Sequence, residues 1–252
     1  MKLYNDLAKY YFSIESNHRN LTDDISLILY LLKDYGNSPS LLDLGCGTGE
    51  HLNELSKHGI KCLGIDNSEE MLKIARERFP GNIEFINADI SEIQFSNQFD
   101  AVISMFGSFD YILYDADIKK ALGNIWNALK TGGTALLEVW NSIPIKKIGE
   151  KKPNRISTTK FENMIIERDR GFNILNYPEK TLVEVNYRYF MKSDNKTKTL
   201  RDKHLMRAYS VDEISDFVTG NGFTIKNIYS NALKDTYDEN SNKLYVHFQK
   251  NQ

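Results

Sequence analysis

The stretch that decides the fold is Leu41–Glu50, LLDLGCGTGE. An apolar run, Leu41, Leu42 and Leu44, holds a single acid, Asp43, and runs straight into glycines at 45, 47 and 49. A strand that ends in a turn cleared of side chains and then opens a helix suits a ligand that must touch backbone. Glycine allows that approach. The helix N-terminus offers free N–H groups and a partial positive charge. In open α/β sheets such ligands sit beyond the carboxyl ends of the strands, where the strand order reverses. The spacing here is G-x-G-x-G. The third glycine of a dinucleotide fingerprint would fall on Glu50, which counts against a nicotinamide cofactor.

Helix and strand signals alternate on both sides of this turn. Leu21–Tyr35 is predicted helical, with Thr22 as N-cap, acids at 23 and 24, and Gly36 and Pro39 as its stop. Strand one is Ser40–Leu44, and a helix runs from the glycines to about His58. Ile60–Ile65 reads as strand two. Ser68 caps the next helix, whose buried face is Met71, Leu72, Ala75 and Phe79. IEFINAD is strand three and FDAVISMF strand four. DIKKALGNIWNALKTGG is a helix with its stop, and TALLEVW is strand five. Runs such as AVIS and ALLEV are apolar on both faces, as in strands covered by helices on both sides. The fold class is therefore α/β: a doubly wound, mostly parallel, Rossmann-like sheet of seven strands.

After Ile145 the pattern changes. ENMIIERD, TLVEVNYRYFM and KTLRDKHLMRAY alternate polar and apolar residues, with turn chemistry at Arg170-Gly171 and Ser193-Asp194-Asn195. They predict an antiparallel β insertion after strand five. Ser210–Gly220 is a helix with a capping box, Ser210 and Glu213, before two closing strands, FTIKNIYS and KLYVHFQK. The expected organisation is a core with a helical N-terminal lid over 1–145, the insertion over 146–209, and a return to the core over 210–252.

Beyond the glycines, an acid closes strand two (Asp66), Ala88-Asp89 closes strand three, Phe99-Asp100 opens strand four, and LKTGG precedes strand five. This ordered set resembles the class I S-adenosylmethionine-dependent methyltransferases. The resemblance implies S-adenosylmethionine as cofactor. It implies that Asp66 accepts from both ribose hydroxyls and that Asp89, beside Ile90, accepts from the adenine amino group. It places Gly45, Cys46 and Gly47 against the methionyl and ribose parts. Asp43 would hold the ammonium and brace the loop. Tyr11, Asn67, Met71, Ala88 and Met105 complete the expected cofactor contacts. Asp66 has an alternative reading as the cap of a turn, and Asp89 as an ordinary loop acid.

The early KYY, SMFGSFDYI, LLEVWN and the insertion before YSVDEI resemble, more narrowly, the N,N-dimethyltransferases of nucleotide-linked amino sugars and related small-molecule enzymes. Candidate residues on the acceptor side are Tyr10, Asp110, Glu138 and His204, with Tyr111 and Trp140 nearby. Core packing is the alternative for Phe106, Phe109 and Trp140, and an exposed strand position for His204.

Composition bounds the rest. The chain has 252 residues, 41% of them hydrophobic, and a net charge of −2. There is no apolar run near the ~20 residues of a membrane span. No basic patch fits nucleic acid; Lys146–Arg155 reads as solvated loop. Two cysteines, Cys46 and Cys62, do not make a disulfide framework or a metal site. The expectations are a cytoplasmic enzyme, monomer or homodimer, without metal, membrane or nucleic-acid partner. It would methylate a small-molecule acceptor, with an amine favoured over a hydroxyl. Methylation of RNA or protein, or cofactor binding without catalysis, are the alternatives.

Overall fold

The structure, a computed structural model, describes residues 1–251 except 19, 82, 178, 194 and 195. Its N-terminal segment holds a short helix, α1 (Tyr11–Glu15), followed by α2 (Leu21–Leu32). Then β and α elements alternate: β1 (Ser40–Leu44), α3 (Glu50–Ser56), β2 (Lys61–Asp66), α4 (Glu69–Arg78), β3 (Glu84–Asn87), β4 (Phe99–Ser104), α5 (Asp115–Ala128) and β5 (Leu129–Trp140). A helix α6 (Ser142–Ile148) leads into β6 (Lys151–Phe161), β7 (Met164–Asn176), β8 (Thr181–Ser193) and β9 (Lys196–Ala208). The chain ends with α7 (Val211–Gly220), β10 (Phe223–Tyr229) and β11 (Lys243–Lys250).

Seven strands form one sheet in the order β10-β11-β5-β4-β1-β2-β3, parallel except for β11 against both its neighbours. The order reverses between β1 and β4, so the crevice at their carboxyl ends lies directly beyond the glycine turn. Two apolar layers cover the sheet. One holds Leu42, Leu44 and Val102 with helices α5 and α7; the other holds Leu41, Ile103 and Leu136 with α2, α3 and α4. The second sheet, β6-β7-β8-β9, is an antiparallel meander. Its apolar face packs Val183, Val185 and Tyr189 against Leu3, Leu7 and Ile14 of the N-terminal segment.

Several local expectations need correction. Helix α2 is capped by Asn20, whose Oδ1 accepts the Thr22 N–H at 3.2 Å; Thr22 lies inside the helix. LKTGG is not a helix stop. β5 already pairs at Leu129 with Phe99, and the register jumps to Thr134 opposite Ala101, so Lys130–Gly133 bulge outward. Lys130 ties the bulge to Asp100 at 2.8 Å, and Tyr35 donates to the Gly132 carbonyl at 2.8 Å. Lys146–Arg155 is not loop but the end of α6 and the start of β6. Arg170-Gly171 is not a turn; both residues lie within β7. A Cβ on Gly171 would stand 2.7 Å from the Lys151 carbonyl, so glycine admits the neighbouring strand there. The turn expected at Asp194-Asn195 lies outside the described residues.

Two glycines test this packing. Gly64 sits on β2 under the glycine turn, where a Cβ would meet Leu52 at 2.6 Å and the Cys46 sulfur at 2.7 Å. Gly123, inside α5, has nothing within 4 Å. Urea unfolding should show Gly64→Ala destabilised by about 1–3 kcal/mol through overpacking. Gly123→Ala should be stabilised by about 0.5–1 kcal/mol through the helix-interior preference for alanine.

Candidate active site

The glycine turn is built by backbone that only glycine adopts easily. Gly45, Gly47 and Gly49 have φ of 83°, 57° and 83°. The Gly45 and Cys46 N–H groups both donate to the Ile65 carbonyl, at 2.8 and 2.9 Å, which folds the turn over the end of β2. Asp66 then fastens it. Its Oδ2 accepts the Gly47 N–H at 2.9 Å and its Oδ1 accepts the Ser68 N–H at 2.8 Å. Burial raises the Asp66 carboxyl above its usual range, with these two N–H donors opposing. A carboxylate has about four acceptor sites, so two remain for a ligand.

A cavity of about 290 Å³ opens beside this turn. Gly45, Gly47, Asp66, Asn67 and Met71 form one side; Ala88, Asp89 and Ile90 form another; Tyr4, Tyr11, Phe106 and Tyr111 close it. Asp89 is exposed and its Oδ1 accepts from the Ser91 N–H and hydroxyl at 2.8 and 2.7 Å. Asp43 is buried on β1 and shares a small adjoining recess with Cys46, Met105 and Phe106. Burial pushes the Cys46 thiol well above its usual range, so it stays protonated.

A second cavity, of about 130 Å³, lies on the far side of Tyr4, Tyr11, Phe106 and Tyr111, which line both. Its other walls are Glu138 and Trp140 from β5, Arg168, Arg170, Tyr187 and Met206 from the second sheet, and Lys243. Phe106 borders all three spaces and has φ 61°. A bulky side chain in that conformation is strained and persists only where its surroundings hold it. Glu138 does so: its Oε2 accepts the Phe106 N–H at 3.0 Å, while its other oxygen pairs with Lys243.

The remaining candidates are placed differently. His204 is buried behind the wall, not exposed on its strand. Its Nδ1 bonds the Tyr111 hydroxyl at 2.5 Å and its Nε2 bonds Asp202 Oδ2 at 2.9 Å. The Tyr4 hydroxyl meets that of Tyr111 at 2.9 Å. Burial opposes ionisation of Asp202, but bonds from His204 and the backbone of Leu3 and Lys2 outweigh it and bring the carboxyl to about 2. Asp110 lines none of the three spaces. It is fully buried, and both its oxygens accept the Trp140 N–H, at 3.3 and 3.2 Å, which ties the loop after β4 to the end of β5. Burial raises its carboxyl well above the usual range. Tyr10 also lies outside these walls, its ring edge-on to Phe161 at 5.0 Å.

Among the residues that escaped the sequence reading are Tyr4, Arg168 and Arg170 in the walls and Asp202 behind them. Asp202 and His204 stand two apart on one strand, and ERDR (167–170) alternates acid and base. Period two puts such pairs on one face, a signal that was present. Tyr4 had none.

Comparison with known proteins agrees with this geometry. Residues 41–133 match the methyltransferase domain family. A protein of Geobacillus sp. (strain WCH70) that bears a methyltransferase name is 27% identical over 226 residues, 87% of this chain and 89% of its own. The crystal structure of an S-adenosylmethionine-dependent methyltransferase from Clostridium acetobutylicum superposes with a TM-score of 0.82 at 18% identity, covering 99% of each chain. Residues 41–133 thus carry a methyltransferase domain, and the likeness of the chain is to the class I S-adenosylmethionine-dependent methyltransferases. A third relative, the dTDP-3-amino-3,4,6-trideoxy-alpha-D-glucopyranose N,N-dimethyltransferase of Streptomyces venezuelae, is 35% identical over 101 residues, 40% of this chain and 42% of its own.

The first cavity fits the cofactor of this methyltransferase. It offers bare backbone at Gly45 and Gly47, carboxylates at Asp66 and Asp89, and apolar surface at Met71 and Ile90. Among the described residues, no group of His, Cys, Asp and Glu is arranged to hold a metal, and no helix is long and apolar enough to cross a membrane.

A Cβ on Gly45 would fall 2.4 Å from the Ser108 hydroxyl oxygen and 2.5 Å from its Cβ, at a φ of 83°. Gly45→Ala should therefore weaken S-adenosylhomocysteine binding by at least about tenfold in calorimetry, roughly 1.4 kcal/mol. Adding Ser108→Gly should restore part of the loss, since it removes the clash but not the backbone strain.

Proposed function

We propose that this methyltransferase acts on the nitrogen of a small-molecule amine held in the second cavity. The observation that supports this best is the pair of cavities with one shared wall. Tyr4, Tyr11, Phe106 and Tyr111 border both, so a donor in the first and an acceptor in the second meet at that junction. An amino sugar is a good candidate acceptor, because the Streptomyces venezuelae relative is named for one. Residues 146–209 serve as the cover of the acceptor side, and the segment around Tyr11 as its lid.

On this reading Asp66 takes the two ribose hydroxyls with the acceptor capacity left by Gly47 and Ser68. Asp89 takes the adenine amino group, with Ala88, Ile90, Asn67 and Met71 around the ring and sugar. Asp43 draws the ammonium toward the turn, and Gly45, Cys46, Gly47, Met105 and Tyr11 enclose the methionyl part. Bound there, S-adenosylmethionine supplies an electrophilic methyl group on a sulfonium. The chain's main contribution is orientation in a site shielded from water, which is worth roughly 7–11 kcal/mol when reacting groups are held in line.

An amine must also lose a proton. Tyr111 faces both cavities and leads to His204 and Asp202. Because the Asp202 carboxylate can only accept, His204 carries its proton on Nε2, and Nδ1 is free to accept from the Tyr111 hydroxyl. Burial holds the Tyr111 phenol well above its usual range, with a bond from Tyr4 opposing. Tyr111 therefore works as a phenol: its oxygen takes the acceptor's proton as its own proton passes to His204 Nδ1. The resulting imidazolium is balanced by Asp202. Glu138 acts as a positioning residue, holding Phe106 in the wall.

Four outcomes follow. Labelled S-adenosylmethionine incubated with pools of amines, sugar nucleotides, hydroxylated metabolites and total RNA should label the amine pools; label in RNA alone would contradict the proposal. Asp66→Ala should cost about 1–3 kcal/mol of S-adenosylhomocysteine affinity in calorimetry, the usual cost of unpaired buried polar groups. For the wild type, that affinity should weaken on acidification, because the ionised carboxylate is the accepting form. The loss should begin above the ordinary aspartate range, since burial raises Asp66. With an acceptor in hand, Tyr111→Phe should lower kcat by about 100-fold, within the range for general acid–base groups, with little change in KM.

A further inference from the structure

The ERDR stretch of β7 sorts its charges by face. Glu167 and Asp169 are engaged by Arg155, at 3.0 and 2.6 Å, and Glu167 also by Lys192 at 3.0 Å. Arg168 and Arg170 point the other way, into the second cavity. Arg168 is 1% exposed. One of its terminal nitrogens pairs with Glu15, but its Nε has no hydrogen-bond partner among the described residues. The Nε of Arg170 is also buried without a partner, and among the described residues no carboxylate lies within ion-pair distance of it. Its guanidinium bonds the neutral Tyr187 hydroxyl. Lys243, the third cation of this cavity, is paired with Glu138.

The two guanidinium planes are also held in place. Arg168 lies over the Tyr187 ring at 5.4 Å, and Arg170 over Phe172 at 5.0 Å. Stacking fixes the plane and leaves the N–H edges to point at a ligand. The surplus of positive charge acts on a neighbour: burial and then Arg168 push the His18 imidazole below its usual range, with Arg170 and Lys243 adding to this and Glu15 opposing. A buried guanidinium N–H without a partner is costly. An oxyanion is the partner such groups fit, because a guanidinium meets carboxylate and phosphate oxygens in charge-assisted bonds.

We infer that the second cavity is built to bind an anionic group, a carboxylate or a phosphate carried by the acceptor, on Arg168 and Arg170. This deepens the amine-acceptor reading and rests on it for the claim that the anion belongs to the methyl acceptor. The anion site itself can be tested without turnover.

Arginine Nε–H resonances report the site directly. The S-adenosylhomocysteine-saturated protein, labelled with nitrogen-15, would be titrated with sodium phosphate, sodium acetate and, as a cationic control, ethanolamine, all at one ionic strength set with chloride. A saturable shift of the Arg168 or Arg170 Nε–H signal is expected with phosphate or acetate and not with ethanolamine. Arg170→Gln should weaken that binding at least tenfold while S-adenosylhomocysteine affinity stays unchanged. Arg168→Lys keeps the charge near Glu15 and should weaken it as well. Response to phosphate alone marks a phosphorylated acceptor; response to acetate alone marks a carboxylate one. Absence of a saturable shift with either anion, or an equal shift in Arg170→Gln, would overturn the anion site. Failure of the wild type to bind S-adenosylhomocysteine would instead strike the methyltransferase reading beneath it.

Discussion

The structure depends first on one hydrogen bond: the Gly47 N–H donated to the Asp66 carboxylate at 2.9 Å. It joins the end of β2 to the turn after β1, at the point where the sheet reverses its order. Without it, three left-handed glycines at alternate positions would have little to choose one conformation for them. With it, the turn is clamped from below by the Ile65 carbonyl and from the side by Asp66. The same acid is partly spent on structure and partly left for a ligand. Its function as a brace and its proposed function as a ribose acceptor are therefore not alternatives.

The second cavity is organised on a different principle. There the walls are made by buried charge held in pairs and chains: Glu138 with Lys243, Arg168 with Glu15, Asp202 with His204 and Tyr111. Such groups add little net stability, because desolvation offsets their attraction. What they supply is position. Glu138 keeps Phe106 in a strained backbone conformation between the cavities, and Asp202 fixes the tautomer of His204. The second sheet is thus more than a cover, since it brings Arg168, Arg170, Asp202 and His204 to a site that the seven-stranded sheet opens.

The parts legible in the sequence were those with short-range causes. Period 3.6 and period 2 patterns, the Ser68 cap and the Ser210–Glu213 capping box located most elements of the core. The glycine turn and the acids at the ends of strands two and three pointed to the lining of the first cavity. Errors arose where a long-range partner decided the outcome. The start of β6 is polar on both faces, so nothing in its pattern separates it from loop; β7 makes it a strand. Gly171 read as a turn because the approach of Lys151 cannot be seen locally. Asp110 looked like a site acid, yet its environment is the backbone of Trp140. Tyr4 joins the wall only because the N-terminal segment docks on the second sheet through Leu3 and Leu7.

The central claim is that donor and acceptor occupy two cavities that meet at Tyr4, Tyr11, Phe106 and Tyr111. A crystal structure of the S-adenosylhomocysteine complex tests it most directly. The account predicts both ribose hydroxyls on Asp66 and the sulfur at that four-residue junction, facing the second cavity. A ribose bound away from Asp66, or a sulfur pointing out to solvent with the tyrosines between it and the arginine-lined space, would contradict it.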